Sequence, residues 1–134
     1  SMKKATANWL QSMEYDLKTA STLLKDRKYI YVIFMCHLAI EKALKAVLSE
    51  MFKELPPYTH NLNRLIELGN IKLPHKHQDF INKINLQSVP TRYPEDFKKL
   101  SKEFDKKIAE LYLKQTRGVI RWLKQNIPQL KSGK

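Results

Sequence analysis

Apolar positions recur along this chain every three to four residues, and strand-like alternation is absent, so the pattern predicts helices throughout. Leu10, Met13, Leu17, Ala20 and Leu24 fall at i, i+3, i+7, i+10 and i+14, an amphipathic helix over residues 7–26. A polar connection from Asp26 to Lys28 leads into a longer helix over 29–52, which the Leu55-Pro56-Pro57 segment closes because proline cannot continue it. Thr59 is the expected N-cap of a short helix through Leu68, with Gly69-Asn70 as its stop. A fourth helix is expected from about Pro74 to Gln87, followed by an extended Pro90-Thr91-Arg92-Tyr93-Pro94 segment. Pro94, Glu95 and Asp96 suit the first turn of a last helix reaching about Ile127, before Pro128. The expectation is therefore all-α: an up-and-down four- to five-helix bundle in a single domain over 1–134. Its core runs from about 7 to 127, with a disordered tail from Lys131.

The second helix carries the most unusual pattern. Ile33, Ile40, Leu44, Val47 and Met51 centre its apolar stripe, and Phe34, Leu38, Leu48 and Phe52 widen it. His37, Glu41 and Lys45 fall inside that widened arc at i, i+4 and i+8, while Ala39, Lys42, Ala46, Ser49, Glu50 and Lys53 form the expected solvent-facing back. Ionisable groups among large apolar neighbours are costly unless paired. One reading is a Glu41–Lys45 ion pair at the edge of a helix seam with His37 hydrogen-bonded in the core. The other is a polar pocket or dimer face, which Asp16 on the flank of the first helix would also reach.

Three further constellations have two readings each. Arg92-Tyr93 stands just before a helix N-terminus, where free amides favour an anion and a guanidinium and phenol would hold a phosphate. Against this, Glu95 and Asp96 already complement the dipole, and Arg92 has them or Glu41 as alternative partners. His60, near the beginning of a helix, is of the residue type suited to acid–base chemistry, or else donates structurally to a loop carbonyl beneath Pro56-Pro57. On the last helix, Lys99, Lys106, Lys107, Lys114, Arg117, Arg121 and Lys124 share a face opposite Phe104, Ile108, Leu111, Tyr112, Val119, Trp122 and Leu123. That face reads as a polyanion surface or as an ordinary solvated one, with Glu103 and Glu110 four residues before Lys107 and Lys114.

Composition narrows the classes. The 134 residues carry 25 Lys+Arg against 13 Asp+Glu, a formal charge of +12, and such a basic protein favours polyanions or an acidic protein surface. No apolar run approaches the roughly 20 residues that span a bilayer, and no signal-peptide core opens the chain. One cysteine, Cys36, excludes an intrachain disulfide and suits a reducing, cytoplasmic setting. Four histidines and that cysteine show no zinc-type spacing, so neither metal nor cofactor is expected. Phosphate-binding glycine loops, serine elbows and paired hydrolase carboxylates are also absent from the sequence.

Several of these residues together resemble one family. Trp9 and Asp16 lie seven apart in the first helix, and residues 39–46 read Ala-Ile-Glu-Lys-Ala-Leu-Lys-Ala. Thr59-His60-Asn61-Leu62 with Leu65 and then Arg92-Tyr93-Pro94 follow, and this order resembles the prokaryotic HEPN domain over roughly residues 7–127. The resemblance implies a bundle of four or five helices, usually a homodimer. Stand-alone members are often partners of a minimal nucleotidyltransferase, sometimes as a toxin–antitoxin-like pair. It further implies nucleotide binding, with Glu41, Lys42, Lys45, His60, Arg92 and Tyr93 as the carried-over polar residues.

Some branches of that family are metal-independent ribonucleases marked by arginine followed, after four to six residues, by histidine. Here Arg27, Arg64, Arg92, Arg117 and Arg121 all lack a histidine at that spacing. The expected function is therefore a non-catalytic binding or partner subunit with a nucleotide- or phosphate-facing cleft formed by His37, Glu41, Lys42, Lys45, His60, Arg92 and Tyr93, supported by Asp16. The alternatives are an RNA-binding protein or ribonuclease toxin using His60 or His37, and an assembly module without a ligand.

Overall fold

The computed structural model describes residues 1–87 and 94–130, and among them it is helical without strands. Helix α1 spans Lys4–Lys25, α2 Tyr29–Met51, α3 Leu62–Leu68, α4 His75–Gln87, α5 Pro94–Glu103 and α6 Lys106–Asn126, with a 3₁₀ turn at Pro128–Leu130. The all-helical bundle expected from the periodicity is the observed architecture.

Helix α2 is the axis of the bundle: α1, α3, α4, α5 and α6 all pack against it. Its expected solvent-facing back is largely covered, since Ala39 and Ala46 are fully buried, Ser49 nearly so and Lys42 and Glu50 partly, and only Lys53 beyond the helix end is exposed. Helix α1 lies on that face, where Lys42 meets Asp16 and Glu50 meets Thr6. Alanine and serine read as neutral in a hydropathy pattern, yet their small side chains let two helix backbones approach closely. Lys3 completes the arrangement by donating from Nζ to the carbonyls of Ser49 and Phe52, both at 3.1 Å, which caps the end of α2 with a cation.

Two helices end in Schellman motifs. At α1, Lys28 N–H donates to Leu23 and Arg27 N–H to Leu24, with Arg27 left-handed at φ 61°. At α3, Ile71 N–H donates to Ile66 and Asn70 N–H to Glu67, and Asn70 takes the left-handed position at φ 50°. Gly69 keeps an ordinary φ, but a Cβ there would stand 3.1 Å from Ile71 and 3.3 Å from Leu48, so its smallness serves packing.

Two boundaries differ from expectation. The N-cap of α3 is Asn61, whose Oδ1 accepts from Asn63 and Arg64 N–H, while Thr59 Oγ1 accepts from Asn61 N–H one step earlier. The Leu62 amide is satisfied from α4 by Asn85 Oδ1 at 2.8 Å. The expected single last helix is two, broken at Phe104-Asp105: Asp105 Oδ1 accepts from Ile108 N–H at 3.0 Å and caps α6. Phe104 is buried there, edge-on to Tyr112, which is edge-on in turn to Phe80. An aspartate inside an apolar repeat carries only a weak propensity signal, so periodicity runs through the break. The break also removes the i, i+4 relation between Glu103 and Lys107, because they stand on different helices. Leu111, assigned to the apolar face, is half exposed.

Candidate functional site

Glu41 sits at the middle of α2, almost fully buried, and each of its oxygens has a partner. Oε2 accepts from Lys45 Nζ at 3.0 Å, one helical turn on. Oε1 faces His60 Nδ1 at 2.9 Å, and His37 Nδ1 stands 3.8 Å from the same oxygen. Lys45, itself buried, lies with its ammonium 5.5 Å from the Trp9 ring centroid, so α1 covers the cation with an aromatic face. The result is a polar string through the core, Trp9–Lys45–Glu41–His60, with buried His37 beside it.

Local sequence explains the geometry. The i, i+4 spacing brings Lys45 back over Glu41 on the same face of α2. His60 comes from the loop after Pro56-Pro57, held by the Thr59 and Asn61 turns that open α3. A carboxylate opposite Nδ1 fixes that nitrogen as the donor, while Nε2 is the outer nitrogen of a side chain 58% exposed. The string is thus anchored inside and open at one imidazole nitrogen.

The structure brings His37, Glu41, Lys45 and His60 together but separates two other expected members. Lys42 turns to the α1 side and pairs with Asp16 Oδ2 at 2.8 Å. The ammonium approaches outside hydrogen-bond geometry, so this is a charge contact. Asp16 therefore supports Lys42 and not the Glu41 strip. His60 binds Glu41 and not the loop carbonyl expected beneath Pro56-Pro57. Arg92 and Tyr93 lie outside the described residues.

Behind the strip, the Cys36 thiol is fully buried beside Thr116, and burial pushes it up to about 12. Among the described residues no group of three His, Cys, Asp or Glu is placed to hold a metal ion, and no helix is long and apolar enough to cross a membrane. A cavity of about 670 Å³ opens elsewhere, between α1, α4 and α6, and shares no residue with the strip. The sequence groups Lys114, Arg117 and Arg121 on one face but carries no signal for the α4 residues, Lys76 and His77, that complete its walls.

The HEPN domain family model matches residues 6–127. Among solved structures, TT1696 from Thermus thermophilus superposes with a TM-score of 0.76 at 18% identity, covering 92% of this chain and 98% of that one. ST0689, an archaeal HEPN homologue, gives 0.72 at 20% identity, covering 94% and 99%. At these identities the likeness concerns the fold. No curated protein matches the chain.

Proposed function

The chain belongs to the HEPN domain family, and from that premise we propose that it acts as a non-catalytic partner subunit. In this reading it is a homodimer that pairs with a minimal nucleotidyltransferase in a toxin–antitoxin-like system and offers a nucleotide- or phosphate-facing cleft. Arg92 and Tyr93 address the anion, and the His37–Glu41–Lys45–His60 string shapes the cleft wall. The observation that carries it is the pairing state of Glu41. Both oxygens are engaged, by Lys45 and His60, inside the core. A carboxylate so occupied favours a structural anchor over a base that turns over. The missing arginine–histidine spacing supports the same reading.

The test is the mass of the purified protein in solution, alone and co-expressed with a minimal nucleotidyltransferase, beside thermal shifts with a nucleotide panel. A dimer, a stable hetero-complex and a nucleotide shift lost in Arg92→Ala are expected, since a ligand of the folded state raises the melting temperature. A monomer that forms no complex and shifts with no nucleotide overturns the reading.

A second reading has one observation in its favour. Glu41 behind His60 orients the imidazole and leaves its outer nitrogen on an exposed side chain, the arrangement of a general base. It predicts metal-free cleavage of RNA that disappears in His60→Ala. Intact RNA, or cleavage that survives the substitution, removes it.

A further inference from the structure

Helix α6 carries a second stripe besides its buried one. Leu111, Lys114, Gln115, Gly118 and Arg121 stand at i, i+3, i+4, i+7 and i+10, one face of the helix about 15 Å long. All five line the groove of about 670 Å³ between α1, α4 and α6, opposite Lys76, His77 and Phe80 of α4. Leu111 is half exposed there, an aliphatic side chain in a polar surround.

The rim is charged with one sign. Lys76, Lys114, Arg117 and Arg121 face the single carboxylate of Glu110. Among the described residues Lys76, Lys114 and Arg121 form no ion pair, and Glu110 does not reach Lys114 despite the i, i+4 spacing. Arg117 Nη2 donates to Ser21 Oγ of α1 at 2.7 Å, which orients the guanidinium without neutralising it. Uncompensated cations spread along a concavity call for a ligand with several anionic groups, spaced as they are.

The floor selects among such ligands. Gly118 lies in the middle of α6, where glycine is disfavoured relative to alanine. Packing does not require it: a Cβ there would meet His77 Cε1 at an ordinary 3.5 Å. A glycine on a groove wall lets a second backbone approach closely, the use α2 makes of Ala39 and Ala46 under α1. The apolar lining is otherwise aliphatic, from Leu24, Leu111 and Leu113, and the one phenyl ring, Phe80, is buried edge-on to Tyr112. A stacking platform for bases is thus missing from this groove, while aliphatic side chains fit it. A second copy of the chain is a poor complement, because it carries the same +12 charge.

We propose that this groove is the docking site for an acidic amphipathic helix of another polypeptide. Its aliphatic stripe lies along Leu111 and Gly118, and its carboxylates, a helical turn apart, meet Lys76, Lys114 and Arg121. This is helix-in-groove recognition, in which apolar anchors supply affinity and flanking charges set register. The site goes beyond the nucleotide cleft of the partner reading, since it uses neither Arg92 nor any member of the Glu41 string.

The experiment is fluorescence anisotropy of a labelled amphipathic peptide titrated with the full chain. The peptide has about 16 residues, roughly four helical turns, with leucine along one stripe and glutamate on both flanks. Two companions accompany it, one with glutamine for every glutamate and one scrambled so that charge is kept and the stripe is lost. The protein variants are Lys114→Ala/Arg121→Ala, Gly118→Leu, and the control Lys106→Ala/Lys107→Ala, which removes the same charge from α6 outside the groove. Saturable binding of the glutamate peptide is expected. It weakens about tenfold or more with either companion peptide and in both groove variants, as loss of charge-assisted and apolar contacts implies, and is retained in the control. Gly118→Leu changes no charge and favours the helix, so its loss of binding reports the shape of the groove.

Absence of binding overturns the proposal. So does equal binding of the scrambled peptide, or an equal loss in groove and control variants, since either means diffuse attraction. Displacement of the peptide by an RNA oligonucleotide at lower concentration than by unlabelled peptide assigns the face to nucleic acid and overturns it too. Arg92→Ala is expected to bind the peptide as wild type does, and the groove variants to keep the nucleotide-dependent melting shift, so the two proposals fail separately.

Discussion

Glu41 Oε1 and His60 Nδ1 stand 2.9 Å apart, nineteen residues away in sequence, and this contact ties the loop that opens α3 to the middle of α2. It also sets the state of the carboxylate. With Lys45 on the other oxygen, Glu41 is balanced by one cation inside the core and one imidazole at its edge.

The balance has a measurable consequence. Removing one partner of a buried pair leaves an uncompensated charge, at a cost of about 3–5 kcal/mol. Lys45→Met is expected to destabilise by about that much in urea unfolding, and Glu41→Gln/Lys45→Met by clearly less than the sum of the single changes. Additive single and double effects would show that the two residues are not coupled.

Cys36 is buried and its thiol is pushed up to about 12, so the thiolate that reacts with disulfide reagents is scarce at neutral pH. Labelling of the native protein at pH 8 is expected to follow the unfolding rate and to become immediate in denaturant. Rapid native labelling would place the thiol at the surface.

Arg27 holds a left-handed conformation at the turn between α1 and α2 with its side chain exposed. A non-glycine residue there costs roughly 1–2 kcal/mol, while glycine adds roughly 0.5–1 kcal/mol of chain entropy. Arg27→Gly is therefore expected to stabilise by about 0.5–1 kcal/mol and raise the Tm. A lower Tm would mean that the guanidinium makes a contact worth more than the strain.

Glu50 joins the first turn of α1 to the end of α2. The Thr6 hydroxyl donating to its carboxylate, with the Lys3 amide and ammonium, holds the group below the usual carboxylate range. A depressed folded value means this contribution is present above the unfolded value and lost as pH falls through the folded one. Glu50→Gln should thus be less stable than wild type at neutral pH, with the gap closing in acid. A gap constant with pH would assign Glu50 a packing role only.

Local chemistry dictated much of this. The 3.6-residue repeat located α1 and α2 within a few residues, prolines and the Gly69-Asn70 pair punctuated the chain, and the spacing of Glu41 and Lys45 foretold their pairing. These features are legible because they depend on neighbours within a turn or two. The Glu-Lys-Ala-Leu-Lys run within residues 39–46 and Arg92-Tyr93-Pro94 carried the resemblance to the family whose model matches residues 6–127.

What depends on distant neighbours was not legible. That the alanine-rich back of α2 is covered by α1, that Asp16 meets Lys42, and that His60 reaches Glu41 all follow from how helices cross. The same holds for the groove: a row of cations on one helix is indistinguishable from a solvated face until α4 sets Lys76 and His77 opposite it. Periodicity fixes which side of a helix is apolar, but only packing decides which polar side faces another helix and which faces water.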